Sequence, residues 1–170
     1  MLRVTLLGTG GSAGVPLIGG AGEGGNWGEC DPAEPRNRRT RTSALLEGPD
    51  GGRLLIDAGP DLRQQLLAAG KARLDAILFT HAHADHILGI DDLRAVNRFT
   101  GKELPAYGTR ATLSRLDDRF DYAFIGATPP FFYRPALSAV RVEYGQVLEA
   151  AGMSLTLFRQ DHGVMDTLGF

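Results

Sequence analysis

Cysteine is nearly absent from this chain, which has 170 residues and a single thiol, Cys30. One thiol cannot form an internal disulfide, so the sequence favours a reducing compartment. A long hydrophobic run is also missing, because the apolar stretch Leu2–Leu7 is interrupted at once by glycines. That stretch is too short for a signal peptide or a membrane span. We therefore expect a cytoplasmic protein without membrane association.

The sequence also lacks a basic excess. It has 18 Lys and Arg against 20 Asp and Glu, which gives a net charge of −2. Proteins that hold a nucleic-acid backbone over a wide face usually carry the opposite balance. Nucleic acid is therefore not favoured as a partner, although a local basic patch stays open. The length and the 43% hydrophobic content are sufficient for one core, so residues 1–170 are predicted to form a single domain.

Glycine is abundant near the N-terminus, in the stretch LLGTGGSAGVP (residues 6–16) and onward to Gly28. Residues 8–13 fit the pattern G-x-G-x-x-A that opens a dinucleotide-binding fold. That fingerprint must begin a helix, and here Pro16 and further glycines follow, so we reject it. Two interpretations remain open. The loop lines a site, with Ser12 or backbone N–H groups as donors, or it is a tight turn without ligand contact.

Downstream, strand and helix patterns are mixed, which predicts an α/β (α+β) fold. Apolar runs and turn signals predict strands at Leu2–Leu7, Thr42–Glu47, Arg53–Asp57, Leu74–Thr80, residues 105–108, Ala139–Tyr144 and Ser154–Gln160. Capping and periodicity predict helices from Pro60 to Gly70, from Asp85 or Asp91 to about Asn97, and over Ala111–Phe120. The aromatic and Pro-rich stretch from Phe124 to Pro135 is expected to be packed loop or, alternatively, a lid carrying Phe124, Phe131, Phe132 and Tyr133.

The strongest signal is THAHADH (residues 80–86), which begins at the last residue of the apolar run Leu74–Thr80. Three of the four histidines of the chain lie in it, and the fourth, His162, follows another predicted strand. In extended backbone the side chains of His81 and His83 project from the same face of the chain. Asp85 and His86 follow at the point where the chain turns.

Neutral imidazole suits zinc, iron or manganese, and a carboxylate adds a hard ligand. Two metal ions held about 3.5–4 Å apart can carry a hydroxide between them, which suits hydrolysis of a phosphoester or acyl bond. A structural metal site or a surface histidine cluster is the alternative to a catalytic centre.

The motif H-x-H-x-D-H after an apolar strand resembles the metallo-β-lactamase fold of metal-dependent hydrolases. The segments LLGTGGSAGVP, RNRRTRTSALL, LLIDAGPDLRQQLL and THAHADHILGIDDLR occur in the order seen in the subgroup of phosphoribosyl cyclic phosphate phosphodiesterases. The resemblance covers nearly the whole chain and implies an αββα sandwich. Its second half would be incomplete here, because the remaining ligands of the family, an aspartate and a last histidine, would lie beyond Phe170.

The resemblance also implies roles for individual residues. One metal ion would be bound by His81, His83 and His162. Asp85 and His86 would bind a second ion, and Asp85 would orient the bridging water as the catalytic residue. Asp57 would be an outer carboxylate that supports the ligand loop, or else simply a turn residue at the end of a strand. The subgroup can carry a cysteine cluster for a structural zinc ion, but one thiol cannot form it, so Cys30 is expected to be a buried or neutral thiol.

The arginines in RNRRTRT carry guanidinium groups, whose paired N–H donors match the oxygens of a phosphate. We interpret Arg36 and Arg38 as surface residues, and Arg41, which leads into a strand, as a candidate substrate-binding residue beside Ser12.

The function expected from these observations is a binuclear Zn²⁺- or Mn²⁺-dependent phosphodiesterase. It would act on a small cyclic phosphate or nucleotide-like ester through a metal-bridging hydroxide, and a homodimer is left open. Two alternatives are kept: a tRNA 3′-processing-type endoribonuclease of the same fold, and a non-catalytic metal-binding protein.

Overall fold

The computed structural model describes residues 1–20, 23–125 and 136–170. Its strands are β1 Arg3–Gly8, β2 Ser43–Glu47, β3 Arg53–Ile56, β4 Ala76–Leu78, β5 Leu104–Gly108, β6 Leu137–Arg141, β7 Val147–Ala150, β8 Met153–Thr156, β9 Phe158–Asp161 and β10 Asp166–Gly169. Its helices are α1 Leu62–Ala69, α2 Ala84–Ile87, α3 Leu93–Thr100 and α4 Arg110–Phe120, and short 3₁₀ turns lie at Pro35–Asn37, Ile90–Asp92 and Asp121–Ala123.

The first six strands form one sheet in the order β1-β2-β3-β4-β5-β6. The first three strands are antiparallel, and the predicted hairpin is confirmed, with Glu47 opposite Arg53. From β3 to β6 the strands run parallel. The carboxyl ends of β3, β4, β5 and β6 therefore meet at one edge of the sheet.

Both faces of this sheet are covered over its central strands. On one face Leu45, Leu55 and Ile77 pack against helical residues such as Leu62 and Leu93. On the other face the alternate strand residues pack against the small sheet β7-β8 and against Leu168 of β10, and this cluster includes Leu54, Ile56, Leu78, Leu148 and Leu155. Burial on both sides explains why the central strands read as continuous apolar runs rather than alternating ones.

The predicted α/β (α+β) class is confirmed, with differences in detail. Helix α1 begins at Leu62, two residues after Pro60, and ends before Gly70, which has a left-handed φ of 64°. The helical segment predicted from Asp85 or Asp91 is broken at Gly89 into α2, a 3₁₀ turn and α3.

The prediction of one strand over Ser154–Gln160 is wrong, because the chain leaves one small sheet at Leu157 and enters another. At this point the Leu157 N–H donates to the Gln146 carbonyl, and the Leu157 carbonyl accepts from the Gly145 N–H. The strand predicted at Ala139–Tyr144 begins two residues earlier, at Leu137, and ends three residues earlier, at Arg141.

The glycine-rich loop contains no helix among its described residues, in line with rejection of the dinucleotide fingerprint. Cys30, expected to be buried or neutral, is exposed and lies in a turn where its N–H donates to the Trp27 carbonyl. Phe124 packs on the edge of the core, whereas Phe131, Phe132 and Tyr133 lie outside the described residues. Within the described ranges, none of the helices has the length and apolar character needed to cross a bilayer.

Candidate metal centre

The functional side chains predicted from the sequence meet at the carboxyl edge of the parallel strands. Asp57 directly follows β3, and Thr80 and His81 follow β4. Open sheets with parallel strands bind their ligands at this edge, because loops from neighbouring strands converge there. The edge is joined to the small sheet β9-β10 by a hydrogen bond of 2.9 Å from the Leu168 N–H to the Thr80 carbonyl.

Three histidines form a compact cluster at this edge. One donor nitrogen from each of His81, His83 and His162 lies within 4.8 Å of the other two. Nε2 of His81 and Nδ1 of His83 are 3.0 Å apart, and the rings of His81 and His162 have centroids 5.0 Å apart. His83 is the extended N-cap residue of α2, so its ring turns back toward His81. The turn between β9 and β10 brings His162 to the cluster from the far end of the chain.

Asp85 and His86 form a second pair of donors beside this cluster. Nε2 of His86 lies 3.4 Å from Oδ2 of Asp85, and the rings of His81 and His86 have centroids 4.1 Å apart. Both side chains are partly buried. All five ligand-type residues predicted from the motif and from His162 are therefore brought together.

Asp57 lies beneath both groups and is 1% exposed. It has a left-handed φ of 59°, which carries its carboxylate back under the loop that follows β4. Oδ1 accepts a hydrogen bond of 2.7 Å from the Thr80 N–H, and Oδ2 accepts bonds of 2.7 Å from the Thr80 hydroxyl and from Nδ1 of His86. Asp57 is therefore both a residue of the turn that ends β3 and the support of the histidine loop.

The hydrogen bonds indicate which histidine nitrogens face the site. In the neutral ring of His86, Nδ1–H donates to the Asp57 carboxylate, so that Nε2 keeps its lone pair. The Thr80 hydroxyl gives its proton to Asp57 and so accepts from Nδ1 of His81, at 2.9 Å, which leaves the Nε2 lone pair of His81 directed at His83. These tautomers are assigned from the network.

This donor set fits a divalent metal ion. With Zn–N bonds of about 2.0–2.1 Å, two ligands of a tetrahedral ion are about 3.3 Å apart. Nε2 of His81 lies 3.0 Å from Nδ1 of His83, and Nε2 of His86 lies 3.4 Å from Oδ2 of Asp85. Both separations are close to that spacing. The sequence-based expectation of two adjacent divalent ions is compatible with this geometry.

The electrostatics of the cluster differ between His81, whose neutral form they favour, and His86. Burial, together with the neighbouring rings of His86, His83 and His162, lowers the pKa of His81 to about 4. Its ring is therefore unprotonated at neutral pH, which is the form that binds a metal ion. For His86, burial lowers the pKa, but the hydrogen bond and charge of Asp57 outweigh it and raise the pKa above its ordinary value.

Two glycines allow the loops under the cluster to touch, and sequence reasoning missed both. A Cβ on Gly59 would lie 2.2 Å from the carbonyl oxygen of Asp85, and a Cβ on Gly89 would lie 2.0 Å from that of Gly59. The Ala58 N–H donates to the His86 carbonyl, and the Gly89 N–H donates to Ala58, both at 2.8 Å. The only available signals were the glycines in DAGP and ILGI, which read as ordinary turn residues.

Arg119 of α4 is a further residue that sequence reasoning missed. Its guanidinium donates a hydrogen bond of 3.1 Å to the carbonyl of Ala82, between the first two histidines of the motif. Helix α4 is therefore tied directly to the histidine loop. No local pattern in the sequence indicated this contact, because the two residues are far apart along the chain.

The glycine loop packs against the arginine segment rather than standing free. Gly10 forms an isolated β-bridge with Arg41, and Val15 forms one with Arg39. A Cβ on Gly8 would lie 2.0 Å from the carbonyl oxygen of Arg41. The candidate substrate-binding residue Arg41 pairs with Asp61 at 2.8 Å, while Ser12 is exposed in a turn of the loop. Close backbone contact accounts for glycine at position 8 without a bound phosphate.

Helices on one face of the sheet, a smaller β layer on the other and histidines at the carboxyl edge define the metallo-β-lactamase fold. A family model described as a beta-lactamase superfamily domain matches residues 52–170. The chain therefore belongs to the beta-lactamase superfamily.

Three proteins that are similar to this chain are described here by name, identity and coverage. The crystal structure of a new diphosphatase from the PhnP family is 34% identical with a TM-score of 0.80, over 99% of this chain and 62% of that chain. An octanoyltransferase of Porphyromonas gingivalis is 37% identical over 99% of this chain and 32% of that protein. A ribonuclease Z of Bradyrhizobium sp. is 32% identical over 82% of this chain and 45% of that protein.

The chain thus spans between 32% and 62% of the length of these relatives. Two of the three, the diphosphatase and the ribonuclease, are hydrolases by name.

Proposed function

We propose that this chain carries the metal centre of a binuclear hydrolase that cleaves a small phosphodiester, a cyclic phosphate or a nucleotide-like ester. The observation that carries the proposal is the convergence of His81, His83 and His162 within 4.8 Å, with Asp85 and His86 facing each other at 3.4 Å beside them. The 34% identity to a diphosphatase supports phosphate chemistry, and the phosphodiesterase subgroup is the part of the family that we favour.

In this proposal His81, His83 and His162 would hold one divalent ion, and Asp85 and His86 would hold another, either Zn²⁺ or Mn²⁺. Such ions, when bound, acidify coordinated water and neutralise charge that develops on phosphate oxygens. Asp57 keeps Nε2 of His86 directed at the site by holding Nδ1 at 2.7 Å. Asp85 accepts a hydrogen bond from the attacking water and so orients it toward phosphorus.

The test combines metal analysis with an activity screen on the full-length protein. We expect about two equivalents of zinc or manganese, and hydrolysis of bis(p-nitrophenyl) phosphate or of nucleoside cyclic phosphates. The double variant His81→Ala plus His83→Ala should lose metal and activity together. Metal content and turnover that survive this variant would overturn the proposal, and two bound ions without turnover on any diester would favour the non-catalytic alternative.

A tRNA 3′-processing nuclease is the second candidate, because the chain is 32% identical to a ribonuclease Z over 143 residues. The net charge of −2 weighs against it, since tRNA binding depends on phosphate contacts with Lys and Arg. Titration of the protein with tRNA at several salt concentrations separates the candidates. A steep loss of affinity with salt favours the nuclease, whereas no measurable binding favours the small-molecule enzyme.

A further inference from the structure

Strand β6 lies at one edge of the six-stranded sheet, and within the described part of the chain it pairs only with β5. Just past its end, the Val142 N–H donates to the Gly108 carbonyl that follows from β5. Because backbone groups alternate in direction along a strand, the N–H and C=O groups of Leu137, Ala139 and Arg141 point away from β5. An edge with outward backbone groups is a template for a further strand.

A groove of about 350 Å³ lies between this edge and helix α4. Leu113 and Ser114, in the middle of α4, line it together with Ala139, in the middle of β6, and with Phe124. Ala139 pairs with Ala106, a residue of the core on the helical side, so the groove opens on the helical face of the sheet. Ser114 and Ala139 are exposed and have small side chains, which leaves room for another helix and strand to come close.

The two ends of the α4 stripe that lines this groove carry opposite charges. Arg110 lies one turn before Leu113 and Ser114, and Asp117 lies one turn after them. Arg110 and Asp117 form no ion pair with any residue in 1–20, 23–125 or 136–170. The third charged residue of the groove, Arg141, already has an ion-pair partner. The stripe therefore presents one unpaired charge of each sign, about 10.5 Å apart along the helix axis.

We propose that the α4–β6 groove is the interface of a homodimer, in which a second copy of this chain binds through the same groove across a two-fold axis. The stripe is self-complementary, because Arg110 and Asp117 are equally far from the midpoint between Leu113 and Ser114. Two α4 helices that pack antiparallel about this midpoint place Arg110 against Asp117 of the partner subunit, and the reverse pair forms as well. Such mutual pairing is what a two-fold interface requires.

The edge strand is compatible with the same axis, because Ala139 lines the groove beside the middle of α4. Antiparallel pairing of β6 with its copy around Ala139 joins Ala139 to Ala139 of the partner subunit and Leu137 to Arg141 of the partner subunit. These are the residues whose backbone groups point outward, so each pair can exchange two hydrogen bonds. The parallel strands of the two copies would then run in opposite directions, and the two histidine clusters would lie at opposite ends of the dimer. The proposal is therefore independent of the proposed function.

Sedimentation of the full-length protein over a series of concentrations tests the interface, and we expect the wild type to have the mass of two chains. Arg110→Asp and Asp117→Arg each place two like-charged pairs in the interface and should weaken dimerisation by about 10–100-fold. Asp118→Arg makes the same charge change on α4 outside the groove and should leave the dimer intact. Mass is the readout because Arg110 also lines a separate cavity beside His81, so that its replacement can alter turnover directly.

A mixture of the two charge variants separates the interface from a folding defect. Each variant repels its own copy, but a subunit with Arg110→Asp and a subunit with Asp117→Arg attract each other at both pairs. The equimolar mixture should therefore recover the dimer that each variant alone has lost. A wild type that stays monomeric into the millimolar range, a dimer that both charge reversals leave intact, or a mixture that fails to recover would each overturn the proposal.

Cysteine crosslinking tests the pairing of the two β6 strands. In a Cys30→Ser background, which removes the native exposed thiol, Ala139→Cys should oxidise to a covalent dimer. Directly opposite residues of a hydrogen-bonded pair have Cα atoms about 5.5 Å apart, which is within the range of a disulfide. Ser154→Cys, at an exposed position of β8, should not form this crosslink. A dimer that shows no crosslink at position 139 would overturn the strand pairing.

Discussion

Asp57 and His86 are joined by a hydrogen bond of 2.7 Å between Oδ2 and Nδ1, and the same oxygen accepts the hydroxyl of Thr80. Thr80 in turn contacts Nδ1 of His81 at 2.9 Å. One buried carboxylate therefore orients a histidine from each of the two donor groups. Because such outer contacts set ring orientation and tautomer, they influence metal affinity without touching the ion.

The first prediction concerns this carboxylate. Asp57→Asn removes the charge that holds His86 and should weaken binding of Zn²⁺ or Mn²⁺ by about 10–100-fold. Calorimetric titration of the metal-free protein measures the effect. Asp50→Asn, which changes an exposed aspartate of the β2–β3 turn, serves as the matched control. Equal metal affinity in Asp57→Asn and wild type would show that Asp57 acts only as a turn residue.

The second prediction concerns the close contact between the loops under the cluster. Gly89→Ala places a Cβ 2.0 Å from the carbonyl oxygen of Gly59 and should lower the free energy of unfolding by about 2–3 kcal/mol through overpacking. Gly11→Ala is the control, because a Cβ there meets nothing within 4 Å. Urea denaturation compares the two variants, and similar unfolding midpoints would contradict the predicted backbone contact.

His162 provides a third prediction, because its side chain is exposed while its ring lies 5.0 Å from that of His81. His162→Ala should therefore fold normally in the absence of metal but gain less stability when metal is added. A metal concentration of 100 times the wild-type dissociation constant stabilises the wild type by about 2.7 kcal/mol, and the variant should gain clearly less.

Thermal unfolding with and without Zn²⁺ measures this difference. Val164→Ala changes an exposed residue of the same turn and should respond to metal like the wild type. If His162→Ala also responds like the wild type, His162 is not a ligand.

A fourth prediction follows from Glu47, which lies in β2 between Arg53 and Lys71. The hydrogen bond from Lys71 lowers the pKa of Glu47 and outweighs burial, which raises it, and Arg53 lowers it further. Since the folded-state pKa is below the unfolded value, this contribution to stability is present at neutral pH and is lost as the pH falls through the folded pKa. Glu47→Gln should therefore cost about 1 kcal/mol at neutral pH.

That cost should shrink once the pH drops below the ordinary pKa of a glutamate, 4.5. Urea denaturation at several pH values measures it, with Glu149→Gln on an exposed position of β7 as the control. A cost that stays constant from neutral to acidic pH would mean that charge is not its cause.

Local patterns in the sequence were sufficient for the strongest parts of this description. The spacing of His81, His83, Asp85 and His86 after an apolar run predicted a shared set of donors, because strand alternation and a following turn are short-range properties. The rejection of the dinucleotide fingerprint rested on Pro16 and on glycine density, which act on the backbone directly. The hairpin of β2 and β3 was equally local, since its turn residues lie between the two strands.

Other features depended on contacts between distant residues, which periodicity does not encode. The exit at Leu157 from one small sheet into another brings His162 to the cluster, and the parallel pairing of β3 and β4 places Asp57 under His86. The approach of Gly89 to Gly59 and the placement of Arg110 beside His81 arise in the same way.

The amino-acid sequence by itself thus determined which side chains can bind metal, because ligand chemistry belongs to residue type and short spacing. Only the tertiary structure decided how those side chains are oriented and which cavity adjoins them. The physical reason is that the register of the sheet and the packing of its two faces depend on the whole core at once.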